Sequence, residues 1–147
     1  MIIGVPAETY PGECRVALTP EAAGALSRNG QADILVQAGA GVAAGFPDAA
    51  YAEREVEIVQ DRAGVFERAD VLLQVRTHGA NRDNDADLAL LRPGQIVIGL
   101  CDALDGTEAL ECLAQSGATL FAMELMPRIT RAQSMDVLSS MATIAGY

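Results

Sequence analysis

The stretch Val71-Leu72-Leu73-Gln74-Val75 decides the fold, because four of its five residues are apolar and none of them favours a turn. Such a short apolar run is typical of a strand buried on both faces, the usual state of a strand in a parallel sheet. A second run of this kind follows at Ile96–Leu100, and helical patterns occupy the chain between such runs. Strands that alternate with helices predict an α/β protein, with a parallel sheet covered by helices on both faces.

Shorter apolar runs extend the pattern toward both ends of the chain. Ile2–Val5 and Ile34–Val36 precede the central strand, and Ala118–Met123 follows it. A length of 147 residues suits one domain with a substantial core. The start, Met1–Pro6, lacks a basic region and a long apolar run, so we interpret it as a first strand and not as a signal peptide.

The charge and residue usage exclude several kinds of chemistry. The formal net charge is -10, and the chain has no lysine, so all ten basic side chains are arginines. Nucleic-acid binding needs clustered basic groups, so we expect no nucleic-acid partner. The lack of lysine excludes a Schiff-base or P-loop lysine in this chain. Cys14, Cys101 and Cys112 have no metal-ligand spacing, so no metal site is predicted.

The glycine-rich stretch Gly39-Ala40-Gly41-Val42-Ala43-Ala44-Gly45 follows a strand, as a dinucleotide-binding loop would. Its spacing is one residue longer than that fingerprint, and Phe46-Pro47-Asp48 interrupts the helix that should follow. We therefore predict a plain connecting turn.

The stretch from Arg128 to Asp136 and the helix predicted after it form the densest group of functional side chains. Met135, Leu138, Ala142 and Ala145 recur at helical spacing, and Asp136, Ser139, Ser140 and Thr143 share another face. We expect Ser134 to cap this helix. Two arginines suit an anion, and an amide, a carboxylate and a hydroxyl suit a carboxamide or ribose. A capped helix with a solvated polar face explains the composition equally well.

Two further residues are candidates on position alone. Arg15 follows the first strand, where loops of a parallel sheet line the ligand crevice, but a solvated loop arginine is the favoured interpretation. His78 follows the strand at Val71–Val75 and could serve as an acid or base. A lone loop histidine is more often a surface residue, and no partners for a catalytic triad can be placed beside it.

The terminal stretch 127–147, PRITRAQSMDVLSSMATIAGY, resembles the transhydrogenase form of the alanine dehydrogenase/transhydrogenase superfamily. The same superfamily is matched by Ile3-Gly4-Val5-Pro6, Glu8, Arg15-Val16-Ala17, Thr19-Pro20, Gly39-Ala40-Gly41 and Gly45-Phe46. The resemblance implies that residues 1–133 form a flavodoxin-like N-terminal domain and that residues 134–147 begin an interdomain helix. It also implies a Rossmann NAD-binding domain outside this chain, with the active site in the cleft between the two domains.

The resemblance assigns the site. Arg128, Gln133, Asp136 and Ser139 are implied to be both the catalytic and the cofactor-binding residues, in contact with the nicotinamide end of NAD(H), with Gln133 toward NADP(H). The cofactor is therefore NAD(H), with NADP(H) on a partner component and no metal. Hydride passes directly between the two nucleotides, so the chain supplies orientation and no acid or base, and alone it is expected to be inactive.

The resemblance also implies partners and a location. We expect the chain's own Rossmann domain, the NADP(H)-binding and membrane components of a proton-translocating NAD(P) transhydrogenase, and a second copy in a homodimer. The parent protein is then an oxidoreductase in the cytoplasm, held peripherally at the inner face of a bacterial membrane through these components.

Two alternatives stay open. An alanine dehydrogenase, acting on pyruvate and ammonia, would use Arg15 together with a histidine and a lysine. Asp102 stands where the resemblance places the histidine, and Arg76 stands where it places the lysine, so Arg15 and Arg76 are candidates for a substrate-like pocket. The second alternative is a module that is only structural or dimer-forming.

Overall fold

The computed structural model describes residues 1–28, 30, 32–81, 85–105 and 107–146. These residues form one parallel six-stranded sheet in the order β3-β2-β1-β4-β5-β6. The strands are β1 (Ile2–Val5), β2 (Asp33–Gln37), β3 (Glu57–Val59), β4 (Val71–Arg76), β5 (Ile96–Leu100) and β6 (Thr119–Ala122). The α-helices are α1 (Pro20–Arg28), α2 (Asp48–Ala52), α3 (Arg62–Arg68), α4 (Asp85–Leu88), α5 (Thr107–Gln115) and α6 (Val137–Ala145).

The strand order confirms the predicted parallel α/β sheet. With the three-residue edge strand β3 left out, the remaining strands follow the flavodoxin order 2-1-3-4-5. The order changes direction beside β1, between its neighbours β2 and β4. In such sheets the ligand crevice lies at the carboxyl ends of the strands near that reversal, which locates the region to search for a site.

Helices cover both faces of the sheet, as predicted. One face packs on α1 and α2 through a core that includes Val5, Val36 and Tyr51. The other face packs on α3 through Val65, Phe66 and Leu72. The central strand β4 contributes Val71 to the first core and Leu72 to the second, because successive side chains of a strand point to opposite faces. This explains why four of the five residues at Val71–Val75 are apolar.

Gln74, the polar residue within that apolar run, has a buried partner. Its amide donates to Asp87 Oδ2 over 3.1 Å, and both side chains are buried. Arg62 forms a two-point ion pair with the same carboxylate, with Nε and Nη2 each 2.5 Å from an oxygen of Asp87. The third donor of Arg62, Nη1, reaches the carbonyl oxygen of Ala7 over 2.6 Å. These bonds join α3, α4 and the segment after β1 beneath the carboxyl end of β4.

The glycine-rich stretch 39–45 is a connecting turn, as predicted. It contains a short 3-10 helix at Val42–Ala44 and ends at Gly45, whose φ of 87° is in the left-handed region. The N–H of Gly39 donates to Asp48 Oδ1 over 2.8 Å, so the turn is tied to the start of α2. Its glycines therefore serve the local path of the chain.

The C-terminal segment differs in detail from the prediction. A 3-10 helix occupies Thr130–Met135, and α6 begins only at Val137. The predicted cap, Ser134, lies inside the 3-10 helix, and Asp136 caps α6 by accepting the N–H of Ser139. The prediction assumed one continuous helix, whereas the change of helix type moves the cap of the α-helix by two residues, from Ser134 to Asp136. Among the described residues, no helix is long and apolar enough to cross a membrane.

Candidate functional site

The four predicted site residues lie around one cavity. It has a volume of about 340 Å³ and is formed by the segment that follows β6. Its lining residues are Arg128, Ile129, Thr130, Gln133, Asp136 and Ser139. A 3-10 helix has three residues per turn, so Thr130, Gln133 and Asp136 come to one side of the segment. We call this cavity the loop cavity.

Asp136 and Ser139 form the best-defined pair in the loop cavity. One carboxylate oxygen accepts the backbone N–H of Ser139 over 3.0 Å, and the other accepts the Ser139 hydroxyl over 2.6 Å. These hydrogen bonds from Ser139, together with the charge of Arg128, hold the pKa of the Asp136 carboxyl below its ordinary value. Asp136 is therefore a fixed anion, and the oxygen of Ser139 keeps its acceptor lone pairs for another donor.

The other two site residues supply donors. Arg128 and Gln133 are exposed at the rim of the loop cavity, while Ala132 beside Gln133 is 4% exposed and anchors the segment. A guanidinium donates only, whereas an amide side chain both donates and accepts. With the carboxylate of Asp136, the set can satisfy the donor and acceptor of a carboxamide next to an anionic group. The donor set thus fits the end of a nicotinamide nucleotide.

Arg15 and Arg76 lie outside the loop cavity and are joined by Glu13. Arg15 donates through Nε and Nη2 to the two oxygens of Glu13, over 2.7 and 2.5 Å. Arg76 Nε donates to the same carboxylate over 2.9 Å and its guanidinium lies 4.3 Å from the ring centre of Tyr10. The loop position and solvent exposure favoured for Arg15 are confirmed, since its side chain is 43% exposed, but its guanidinium is also paired with Glu13 in an ion-pair network. The sequence held no sign that Glu13 would bind Arg76, which is 63 positions away.

The Glu13 carboxylate is expected to stay charged in acid. Its hydrogen bonds with Arg15, and then with Arg76, lower its pKa to about 2, although burial opposes the shift. Because the folded pKa lies below the ordinary value, Glu13 contributes stability above about pH 4.5, which is lost as pH falls through about 2. Carbon-13 NMR of a Glu-labelled chain should show no titration of this carboxyl between pH 7 and 3.5. A midpoint near 4.5 would contradict the ion-pair geometry.

Arg76 and Asp102 meet at a second cavity of about 380 Å³, which we call the β4–β5 cavity. Tyr10, Ala80, Leu100 and Glu124 complete its lining. Asp102 has a φ of 57°, in the left-handed region, and follows directly on the end of β5. The cavity therefore brings together Arg76 and Asp102, the residues found where the resemblance places the lysine and the histidine of an alanine dehydrogenase. Arg15 lies outside the lining of this cavity.

Sequence analysis missed Glu124, which organises the loop after β5. Its Oε1 accepts the N–H groups of Ala103, over 2.9 Å, and Cys101, over 3.2 Å. Burial opposes ionisation of Glu124, but these backbone hydrogen bonds hold its pKa below the ordinary value. Cys101 is fully buried against this carboxylate, and burial followed by that contact raises the pKa of its thiol to about 12. Cys101 is thus a buried thiol packed against Glu124.

His78 is buried, contrary to the favoured interpretation of a surface residue. It is 7% exposed, because it lies in a short 3-10 helix, His78–Ala80, that packs against the loop after β5. Within the described part of the chain its Nδ1 has no hydrogen-bond partner, and its Nε2 is 3.9 Å from Asp85 Oδ1. His78 lines neither the loop cavity nor the β4–β5 cavity. Among the described residues, no cluster of His, Cys, Asp and Glu could hold a metal ion.

A third cavity is bordered by residues from both groups of candidates. It has a volume of about 400 Å³ and lies between the sheet and α6, with a mostly apolar lining that includes Leu73, Val75 and Ile98. Arg15, Asp136 and Met141 are among the residues that border it. We call it the sub-helix cavity. Asp136 therefore lines two cavities, this one and the loop cavity.

The chain is similar to known proteins over its whole length. Residues 4–145 match the family described as alanine dehydrogenase/PNT, N-terminal domain. The NAD(P) transhydrogenase subunit alpha of Cereibacter sphaeroides is 46% identical over 147 residues, which are 100% of this chain and 27% of that protein.

Two solved structures share the fold. The crystal structure of transhydrogenase from Sinorhizobium meliloti is 41% identical with a TM-score of 0.90, and the match covers 100% of this chain and 40% of that one. An L-alanine dehydrogenase structure is 27% identical with a TM-score of 0.87, over 99% of this chain and 38% of that one. The chain thus spans between about a quarter and two fifths of the length of these three relatives.

Proposed function

Because the chain belongs to the family of alanine dehydrogenase/PNT N-terminal domains, we propose that its parent protein is the NAD(H)-binding component of a proton-translocating NAD(P) transhydrogenase. In this proposal the loop cavity positions the nicotinamide end of NAD(H) for direct hydride transfer to NADP+. The observation that carries it is the convergence of Arg128, Gln133, Asp136 and Ser139 on one cavity. The transhydrogenase names of two relatives, at 46% and 41% identity, support it.

The residues of the loop cavity bind and orient. Asp136 accepts hydrogen bonds, and Ser139, fixed by Asp136, presents acceptor lone pairs in a constant direction. Arg128 and Gln133 supply donors at the rim. A nicotinamide nucleotide bound there supplies the hydride chemistry. Direct transfer depends on holding two rings in contact and needs no proton acceptor at carbon, so the loop cavity requires no histidine.

The β4–β5 cavity keeps alanine dehydrogenase as a second candidate. Arg76 and Asp102 lie at its lining, and a related fold occurs in an L-alanine dehydrogenase. Arg76 is already paired with Glu13, however, and Asp102 is a carboxylate where that chemistry needs an imidazole. These contacts favour the transhydrogenase. A purely structural or dimer-forming role would leave the convergence at the loop cavity without a purpose.

The proposal extends to the assembly. The remaining part of the parent protein would supply a Rossmann domain, with residues 1–133 and 134–147 serving as the N-terminal domain and the start of the interdomain helix. The NADP(H)-binding and membrane components would be its partners, and a homodimer its state, peripheral to the inner face of the bacterial membrane. The chain of 147 residues alone would be inactive, since it holds one side of the cleft.

The experiment measures hydride transfer with the parent protein. The purified protein, mixed with an NADP(H)-binding component from a related transhydrogenase, should transfer hydride from NADH to NADP+ on rapid mixing. The 147-residue chain under the same conditions should show none. Pyruvate- and ammonia-dependent oxidation of NADH, with no transfer to NADP+, would replace the proposal with alanine dehydrogenase. Neither activity, together with a stable dimer, would favour the structural module.

A further inference from the structure

Helix α6 and its cap supply two of the six residues that line the loop cavity, Ser139 and Asp136, yet the helix is held weakly by packing. None of the side chains of Val137–Ala145 is buried, and Leu138 and Ile144 are 37% and 78% exposed. Beneath α6 lies the sub-helix cavity of about 400 Å³, so the sheet supports the helix incompletely. A helix with few apolar contacts depends on specific contacts for its position. One residue outside α6 supplies such a contact.

The contact comes from Arg15. Its Nη1 donates to the sulfur of Met141 over 2.8 Å, across a separation of 126 residues. The other side of the same guanidinium is bound by both oxygens of Glu13. A planar guanidinium held at two points cannot rotate, so the direction of Nη1 is set by Glu13. Arg15 thus reaches from the loop after β1 to the middle of α6.

The network continues to the centre of the sheet. Glu13 is also bound by Arg76, the last residue of β4, and Arg76 lies against Tyr10. The N–H of Arg76 is fixed by Glu8, whose other oxygen accepts the N–H of Val75. An unbroken series of hydrogen bonds therefore runs from β4 through Glu13 and Arg15 to α6. The low pKa of Glu13 keeps this series charged at all working pH values.

We propose that Arg15 is a positioning residue, which sets the place of α6 through Met141 and so the geometry of Asp136 and Ser139 in the loop cavity. The proposal rests on the transhydrogenase function proposed above. In this role, neither Arg15 nor Arg76 binds an oxo acid substrate. Reaction rates fall steeply when a positioned group moves by about 1 Å, so a looser α6 affects turnover more than nucleotide affinity.

Two variants of the parent protein break the contact at its two ends. Arg15→Lys keeps the positive charge but loses the two-point grip on Glu13, and Met141→Leu removes the sulfur acceptor at nearly constant volume. Arg68→Lys is the matched control. Arg68, on α3, also donates two hydrogen bonds to one carboxylate, that of Glu57 on β3, over 2.6 and 2.7 Å. That pair has no contact with α6.

The first measurement is amide hydrogen exchange of the parent protein without nucleotide. We expect exchange across residues 137–145 to become about tenfold faster in Arg15→Lys and Met141→Leu, with β4 unchanged. Arg68→Lys should exchange as the unaltered protein does. Unchanged exchange of α6 in both variants would overturn the positioning role, even if the parent protein is a transhydrogenase.

The second measurement is hydride transfer with the NADP(H)-binding component. Both variants should transfer hydride about tenfold more slowly, while the Kd for NADH changes less than about twofold. A large loss of NADH affinity at an unchanged rate would show that Arg15 is a ligand and not a positioning residue. If the unaltered parent protein transfers no hydride, the proposed function fails, and the exchange measurement alone then decides whether Arg15 positions α6.

Discussion

The Asp136→Asn variant of the parent protein is expected to transfer hydride between nucleotides about 100-fold more slowly, with an NADH Kd within about threefold of the unaltered value. Asparagine is as good an N-cap as aspartate, so α6 should keep its start at Val137. The change removes the negative charge and one acceptor oxygen. Since Ser139 uses both oxygens of Asp136, its hydroxyl must then reorient. The donor and acceptor pattern offered to a carboxamide is thereby altered.

The effect of Asp136→Asn can be separated from a general weakening of α6. Ser140→Ala is the matched control, because the Ser140 hydroxyl also bonds to Asp136, at the backbone carbonyl, but Ser140 lies outside the loop cavity. We expect Ser140→Ala to transfer hydride within about threefold of the unaltered protein and Ser139→Ala to resemble Asp136→Asn. Stopped-flow absorbance gives the rates, and fluorescence titration gives the NADH affinity. Equal rates in all three variants would refute the site assignment.

Arg62→Ala is expected to lower the free energy of unfolding by about 3–5 kcal/mol. Its partner Asp87 has a side chain only 6% exposed, and removing Arg62, itself 18% exposed, leaves that carboxylate buried, with Gln74 as its remaining side-chain donor among the described residues. The carbonyl of Ala7 also loses its donor. Urea unfolding of the chain, followed by circular dichroism, measures the loss.

The control for Arg62→Ala is Arg68→Ala. Arg68 and Glu57 also form a two-point pair, but their side chains are 44% and 53% exposed, so solvent replaces the lost bonds. We expect little change in the urea midpoint of Arg68→Ala. A double change, Arg62→Met with Asp87→Leu, should recover most of the stability, since it leaves no buried charge. If Arg62→Ala and Arg68→Ala unfold at the same urea concentration, burial does not explain the contribution of the Arg62–Asp87 pair to stability.

The sheet could be predicted because burial on both faces requires apolar residues at every position of a strand. The run at Val71–Val75 and the run at Ile96–Leu100 became β4 and β5 with little error. The residues of the loop cavity were assigned by the family resemblance, because their composition alone fits a solvated helix face equally well. These residues recur at spacings of three along one segment, so local geometry alone brings Gln133, Asp136 and Ser139 together.

Contacts between distant segments could not be predicted. Nothing near Glu13 in the sequence shows that it would bind Arg76 as well as its neighbour Arg15, because the bond to Arg76 exists only after the loop behind β1 and the end of β4 meet. The burial of His78 was missed for the same reason. The cap at Asp136 was missed because the sequence does not distinguish a 3-10 helix from an α-helix here. The two differ only in their hydrogen bonds.

The parallel α/β sheet could be inferred from the periodicity of the sequence, whereas the family and four of the six residues that line the loop cavity were inferred from a resemblance to known proteins. What lies behind that cavity depends on the tertiary structure. The link from β4 through Glu13 and Arg15 to Met141 spans more than 100 residues. Charged groups choose partners by distance in the folded chain and not by separation along it, so this network, and the position of α6 that depends on it, could be seen only in three dimensions.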